Sequence, residues 1–452
     1  MKHKRITALL LACLTLFALA ACTSSSVPPS PSQPGQTDAP SSTPPESDDP
    51  TAPPAESKTI HYWAMWNETE TYADVLKEAI TRYEAATGNK VEVNWLGRDV
   101  RTTLKAAIDA GETVDVIENT PDWLYPGLGA EYLLPMDEYL SKEYATTGGK
   151  TLAETIIPSY IDYAKTYTSD GSVQFIPEQP ALIGMFYNKA IFAEVGVNAP
   201  PATWAELLDV CQKIKDAGYD PITVDDAYRP YYMVSYLLLQ KGQAWFQELD
   251  ADTTGEMWGD PAVLQVARAL TELREKGYFS PTTPSNVFPA GQQELALGTT
   301  AIYLLNGSWL PNEIAATAGP DFKWGACAFP ALPGADFANT TTQLTTQGFA
   351  ISAKSANPDE AAELIAYFLD VPTQQGLADK AACVPVVQGV NWPDALADVK
   401  TLSDNMSGSF TVWGGQSDGT VIAALSENFG KLIAGNLTPE AFVDAMKAAT
   451  KR

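Results

Sequence analysis

Two segments separated by a pair of prolines constrain this chain more than anything else in it. Residues 182–187 read LIGMFY, an apolar, β-prone run with the profile of a buried strand, closed by Asn188 and Lys189. Pro200 and Pro201 stop whatever precedes them, and Thr203 stands where a helix N-cap belongs. Trp204, Leu207, Leu208, Cys211 and Ile214 then follow helical spacing, and Gly218 is placed to end the helix. The same alternation occurs earlier. Strands are expected over 58–65, 91–96 and 114–117, with helices over 72–86 and 101–110 that end at Gly88 and Gly111. Strand and helix in alternation imply an α/β protein of mostly parallel sheets flanked by helices. In such sheets ligands gather beyond the carboxyl ends of the strands. The loops carrying Trp66, Asn67 and Glu68, then Arg98, then Asn119, Asp122 and Trp123 hold that position and are candidates for one side of a cleft.

The chain before residue 58 reads as an address and a tether. Lys2, Lys4 and Arg5 precede an apolar stretch over 6–21 that is short for a bilayer span. It ends Leu19-Ala20-Ala21-Cys22, the pattern of a bacterial lipobox. Residues 1–21 are therefore expected to be a lipoprotein signal, and Cys22 the lipid attachment site. Residues 22–57 are almost wholly Ser, Pro, Thr and acidic. Such a segment cannot offset its ordering entropy, and as a disordered tether it would reach on the order of 100 Å at about 3.1 Å per residue. No later stretch is apolar for long enough to be a transmembrane helix. The expected location is the outer face of the cytoplasmic membrane, held by lipid.

The 395 residues from 58 to 452 are too many for one compact core and predict two lobes. The expected division assigns 58–180 and 326–382 to one lobe, 181–325 and 383–452 to the other, with chain crossings near 175–182 and 383–387. Further helices are expected over 231–241, 261–276, 358–369, 419–434 and 439–449, and strands over 321–333 and 347–353. The chain carries 29 basic and 55 acidic residues, a net charge of −26, which becomes −29 once Lys2, Lys4 and Arg5 leave with the signal. That balance disfavours nucleic acid and anionic lipid as partners and favours a soluble monomer. Of five cysteines, Cys13 belongs to the signal and Cys22 to the lipid anchor. Cys211, Cys327 and Cys383 are expected as buried free thiols, with a Cys327–Cys383 bridge as the alternative.

Several landmarks, in order, resemble one family. YNK at 187–189, the F-x-x-x-G that follows, and PPATWAEL at 200–207 come first. AGQQELALGTTAIYLLNGSW spans 290–309, and GFAISAKSANPDEAAELIAYF spans 348–368. Together these are similar to the bacterial extracellular solute-binding proteins of the sugar-binding, maltose-binding-protein-like type that serve ABC importers. The resemblance implies a two-lobed periplasmic-binding-protein-like fold of type II with a hinge between lobes. It also implies a carbohydrate captured by hinge closure, ABC permease subunits as partners, and neither cofactor nor catalysis. It places Tyr231 and Trp309 where such proteins offer stacking aromatics. Asn119 falls where the maltose binder has a tryptophan, which argues against maltose itself.

A sugar needs directional hydrogen bonds for its hydroxyls and rigid aromatic faces for its C–H surfaces. Loops that mix both kinds of residue recur here. They add Gln179, Asp225, Tyr231, Tyr232, Trp309 and Trp413 to the candidates above. The alternative ligands are a polyol, a glycerophosphodiester or a peptide, and the alternative activity is that of a secreted glycoside hydrolase. A phosphate-bearing ligand would want clustered cations, and these loops supply only Arg98 and Arg229.

Residues 415–419 match G-x-S-x-G after a β-prone stretch, nearly the setting of a nucleophile elbow. A hydrolase triad in that order needs a histidine after the serine. The chain beyond the signal has only His61, far upstream. A P-loop ending at Thr151 would need glycine at Tyr144, and a calcium loop starting at Asp250 would need glutamate at Pro261. No spacing of Cys and His suggests a metal site.

Overall fold

A computed structural model describes residues 57–411 and 419–452. The first βαβαβ run forms as its pattern predicts. β1 (Thr59–Ala64), β2 (Lys90–Trp95) and β3 (Val116–Asn119) lie parallel, with β1 central. Helices Thr71–Thr87 and Val100–Ala110 connect them. Both helices stop where glycine enters the left-handed region, Gly88 at φ 74° and Gly111 at φ 90°.

Two long strands organise the rest. β4 (Ile176–Asn188) pairs antiparallel with β8 (Thr341–Ile351) along its first half. From Ile183 onward it changes partners, to β6 (Thr300–Gly307) on one side and β7 (Trp324–Cys327) on the other. β8 continues onto β3, and β6 carries β5 (Asp220–Thr223) in parallel. The strand order is β2-β1-β3-β8-β4-β6-β5, with β7 on β4 and β9 (Gly408–Thr411) on β8. The fold is thus two-lobed, with one ladder system around β1–β3, another around β5–β7, and β4 belonging to both. At the change of partners stands Gly184, where a Cβ would lie 2.5 Å from the Cys327 carbonyl oxygen. Only a residue without a side chain lets the two backbones approach so closely.

The element beyond Pro201 forms as expected. Thr203 accepts from the Glu206 N–H at 3.3 Å while the Glu206 carboxylate accepts from the Thr203 N–H at 3.1 Å. This capping box opens the Trp204–Asp216 helix, which buries Trp204, Leu207, Val210, Cys211 and Ile214.

Elsewhere the structure corrects element lengths. The helix expected over 231–241 runs Arg229–Ala251, across a non-helical Gly242 at φ 82°. The strand expected over 321–333 shrinks to Trp324–Cys327, and the one expected from 347 begins at Thr341. Residues 383–387 hold a single bridge, Ile156 to Val387, where Pro385 lacks the N–H that a ladder needs. Cys211, Cys327 and Cys383 are buried free thiols, so no Cys327–Cys383 bridge exists. Among the described residues no helix is long and apolar enough to cross a membrane.

Candidate functional site

A cleft of about 770 Å³ opens where β4 changes partners. Six of the residues singled out from the sequence meet in its lining: Trp66, Arg98, Asp122, Gln179, Tyr231 and Trp309. They arrive from the end of β1, the start of the helix after β2, the turn after β3, β4 itself, the start of the Arg229–Ala251 helix, and the turn after β6.

The aromatics are not equivalent. Trp66 is 7% exposed, and both faces of its ring are covered. Tyr72 stacks on one side with centroids 4.1 Å apart, and the Arg98 guanidinium lies 4.7 Å from the ring centre. Trp66 can offer an edge to a ligand but no stacking face. Trp309 is only partly buried, and its indole N–H donates to the Tyr228 hydroxyl at 3.3 Å. Gly307 makes room for that ring, since a Cβ there would lie 2.3 Å from it. Tyr231 lines the cleft on the same side, and its phenol is raised above the usual range by burial and then by the Asp122 charge.

The polar groups fall into two sets. Arg98 is already engaged: it donates to both Glu70 oxygens at 2.9 and 3.2 Å and to the Met65 carbonyl at 3.0 Å. Glu70 is partly buried, which favours its neutral form. The Asn67 N–H and the Arg98 charge outweigh this and hold it below the usual carboxylate range. Arg101 also lines the cleft and donates to Asn119 Oδ1 at 3.0 Å and Thr120 Oγ1 at 2.9 Å. The second set consists of acceptors that find no donor among the described residues: Asp122 Oδ1, Gln179 Oε1 and Gln347 Oε1. A buried acceptor left unpaired is costly, so these three are sites where a ligand hydroxyl or N–H gains most. Gln179 is oriented through its other end, Nε2 donating to Cys383 Sγ at 3.1 Å. Glu313 lies on the Trp309 side, held by Gln292 Nε2 at 2.8 Å and pushed up by burial.

The remaining candidates lie off the lining. Asn67 is exposed and braces Glu70 through its N–H at 2.9 Å and its amide at 2.6 Å. Glu68 is exposed beside Lys77, 3.8 Å away. Asn119 is buried behind Arg101, and Trp123 packs against Gly127. Asp225 is buried and accepts from the N–H groups of Gly291 and Gln292 at 2.6 and 3.2 Å and from the Tyr303 hydroxyl at 2.8 Å, which occupies it structurally. Tyr232 is a core residue packed on Tyr236, Phe329 and Phe429. Arg229 is buried and donates to the Thr283 and Pro284 carbonyls at 2.9 and 3.1 Å. Trp413, Cys22 and most of the G-x-S-x-G stretch fall outside the described residues.

The sequence reading missed Arg101, Glu70 and the Thr345–Gln347 portion of β8. Arg98 and Arg101 stand three apart at a helix start, a spacing that shares a face. The polar run TTQLTTQ inside a strand that continues into GFAI was a second available signal, because a buried strand rarely stays polar without a reason.

The family model described as bacterial extracellular solute-binding protein matches residues 66–375. The chain belongs to this family. Among relatives, a diacetylchitobiose binding protein of Streptomyces coelicolor is 24% identical over 229 residues, covering 50% of this chain and 47% of its own. A maltotriose-binding protein of Pyrococcus abyssi is 26% identical over 224 residues, covering 50% of this chain and 44% of its own. The chain spans about half the length of these curated relatives. A solved chitin oligosaccharide binding protein shares the fold of this solute-binding protein. Its TM-score is 0.66 at 21% identity, with 87% of this chain and 98% of that one covered.

Proposed function

We propose that this solute-binding protein captures a carbohydrate, specifically an oligosaccharide, between two lobes that close around it, and delivers it to the permease subunits of an ABC importer. The lobes would comprise 58–180 with 326–382, and 181–325 with 383–452. A monomer, tethered through lipid at Cys22 after loss of residues 1–21, would hold the cleft on the outer side of the cytoplasmic membrane. The reading involves binding without catalysis or cofactor.

One observation carries it: Tyr231 and Trp309 share a single cleft with three buried acceptors that find no donor among the described residues. Aromatic bodies suit the C–H face of a sugar ring, and unpaired acceptors suit its hydroxyls. The names of the two relatives, binders of diacetylchitobiose and maltotriose, support the same class. Charge supports a neutral ligand over a phosphodiester. Arg98 is already bonded to Glu70, Arg101 lies near Asp122, and Glu313 has no cationic partner among the described residues. Of the two arginines in the lining, Arg98 is ion-paired and Arg101 is held by Asn119 and Thr120, so neither is set aside for a phosphate.

The test is a thermal-shift screen of the purified protein against mono- and oligosaccharides. A cognate sugar raises the melting temperature with the logarithm of its concentration, by about 2.7 kcal/mol of added stability at 100 times its dissociation constant. No shift from a broad sugar panel, with a shift from peptides or phosphodiesters, would overturn the ligand class and leave the fold standing.

A further inference from the structure

Beneath the cleft wall lies a pair of carboxyl groups that the binding reading does not use. Glu118 at β3 and Glu178 at β4 are 0% and 1% exposed and are held side by side: Glu118 accepts from the Trp66 indole, Glu178 accepts from the Tyr72 hydroxyl, and those two rings stack 4.1 Å apart. Glu118 is richly supplied with donors. The Tyr62 hydroxyl and the Met65 N–H (3.3 Å) bond to Oε2, and the Trp66 indole N–H bonds to Oε1. Among the described residues Glu178 receives only the Tyr72 hydroxyl, at Oε1, and its Oε2 has no donor. The other titratable groups facing the pair are Tyr62 of β1, Tyr72 of the Thr71–Thr87 helix, and the thiol of Cys383. Among the described residues no basic side chain pairs with either carboxyl.

Two neighbouring carboxylates, out of water and without a cation, are not both ionised at neutral pH. A bond between them would require a proton, and the distribution of donors says where it sits. The group with three donors is the acceptor, and the group with one free oxygen is the acid. We propose that Glu178 is a neutral acid donating from Oε2 to the Glu118 carboxylate, and that this one-proton pair is the fastener that positions Trp66 and Gln179 in the cleft wall. Trp66 is gripped by Glu118 at its N–H and by Tyr72 on its face, and Tyr72 is gripped by Glu178. Gln179 follows Glu178 directly on β4. The pair thus joins the end of β1, the following helix, β3 and β4 at the point where β4 approaches its change of partners. The position of Glu178 and Glu118 as positioning residues rests on the cleft being the ligand site. The protonation assignment does not, so the two can fail separately.

Burial and the neighbouring Glu118 charge both raise Glu178 above its ordinary value of 4.5. A carboxyl that stays protonated in the fold but ionises in the unfolded chain makes stability fall as pH rises from the ordinary value to the raised one. Glu178→Gln keeps a donor toward Glu118 and cannot ionise. The variant should fold and lose stability less steeply than wild type as pH rises above the ordinary carboxyl value of 4.5. Wild type at neutral pH should show the infrared carbonyl band of a buried protonated carboxyl, and the variant should lack it. An absent band in wild type, or identical pH slopes in the two proteins, would overturn the protonation assignment. A band and slopes as expected, but unchanged sugar affinity in Glu178→Leu, which has no donor, would overturn the positioning role.

Discussion

At the residue scale, the exposed face of an aromatic matters more than its presence in a cleft. Trp66 lines the cleft, yet Tyr72 and Arg98 cover its ring. Trp309 and Tyr231 remain as the stacking candidates. Replacing either with alanine should weaken sugar binding about tenfold, roughly 1.4 kcal/mol, the upper end of what a stacked aromatic contributes, as read by calorimetric titration. Gly307→Ala should do the same without touching a ligand, because its methyl would collide with the Trp309 ring. A variant that binds normally would show that the ring's placement is unimportant. The thiols give a second residue-scale test. Cys211, Cys327 and Cys383 are raised above the usual thiol range by burial, so reductant should leave the melting temperature unchanged.

At the element scale, local chemistry explains most boundaries. Thr203 and Glu206 complete a capping box three residues after the first of two prolines. Thr203→Ala should cost about 1 kcal/mol in denaturant unfolding, with sugar affinity unchanged because the Trp204–Asp216 helix lies off the cleft lining. Asp225 belongs at this scale too. It resembled a ligand group in sequence but accepts from two backbone N–H groups at the start of a seven-residue helix and from Tyr303. Asp225→Ala should lower the melting temperature more than it lowers affinity, whereas Tyr231→Ala should do the reverse. The pair of variants separates support from contact.

At the scale of the whole molecule, β4 is the strand that belongs to both ladder systems, and the cleft lies at its change of partners. Closure of two lobes around a ligand would reduce the radius of gyration measured by small-angle scattering when the sugar identified by thermal shift is added. A ligand that raises the melting temperature but leaves the scattering profile unchanged would keep binding and remove hinge closure from the proposal.

The alternation of apolar strands with capped, periodic helices was readable along the chain because it depends on neighbours within one turn or one strand. The βαβαβ opening, the Thr203 cap and the aromatic character of the cleft were legible for that reason. Contacts between residues far apart in sequence were not. Nothing local distinguishes Tyr231, which lines the cleft, from Tyr232, which packs on Phe329 and Phe429, since adjacent positions on a helix point about 100° apart and only the packing decides which direction is solvent. Nor does local sequence bring Glu118 and Glu178 together. They meet because β8 sits between β3 and β4 in the sheet and because β4 carries a register shift between Pro177 and Gln179. Local sequence was enough to read the order and type of most elements, the layer architecture and the family, though not every element's length. Packing between distant segments settled which aromatic faces are free, that Arg98 is already neutralised by Glu70, and that two acids share one buried site. Those outcomes depend on desolvation and pairing between distant segments.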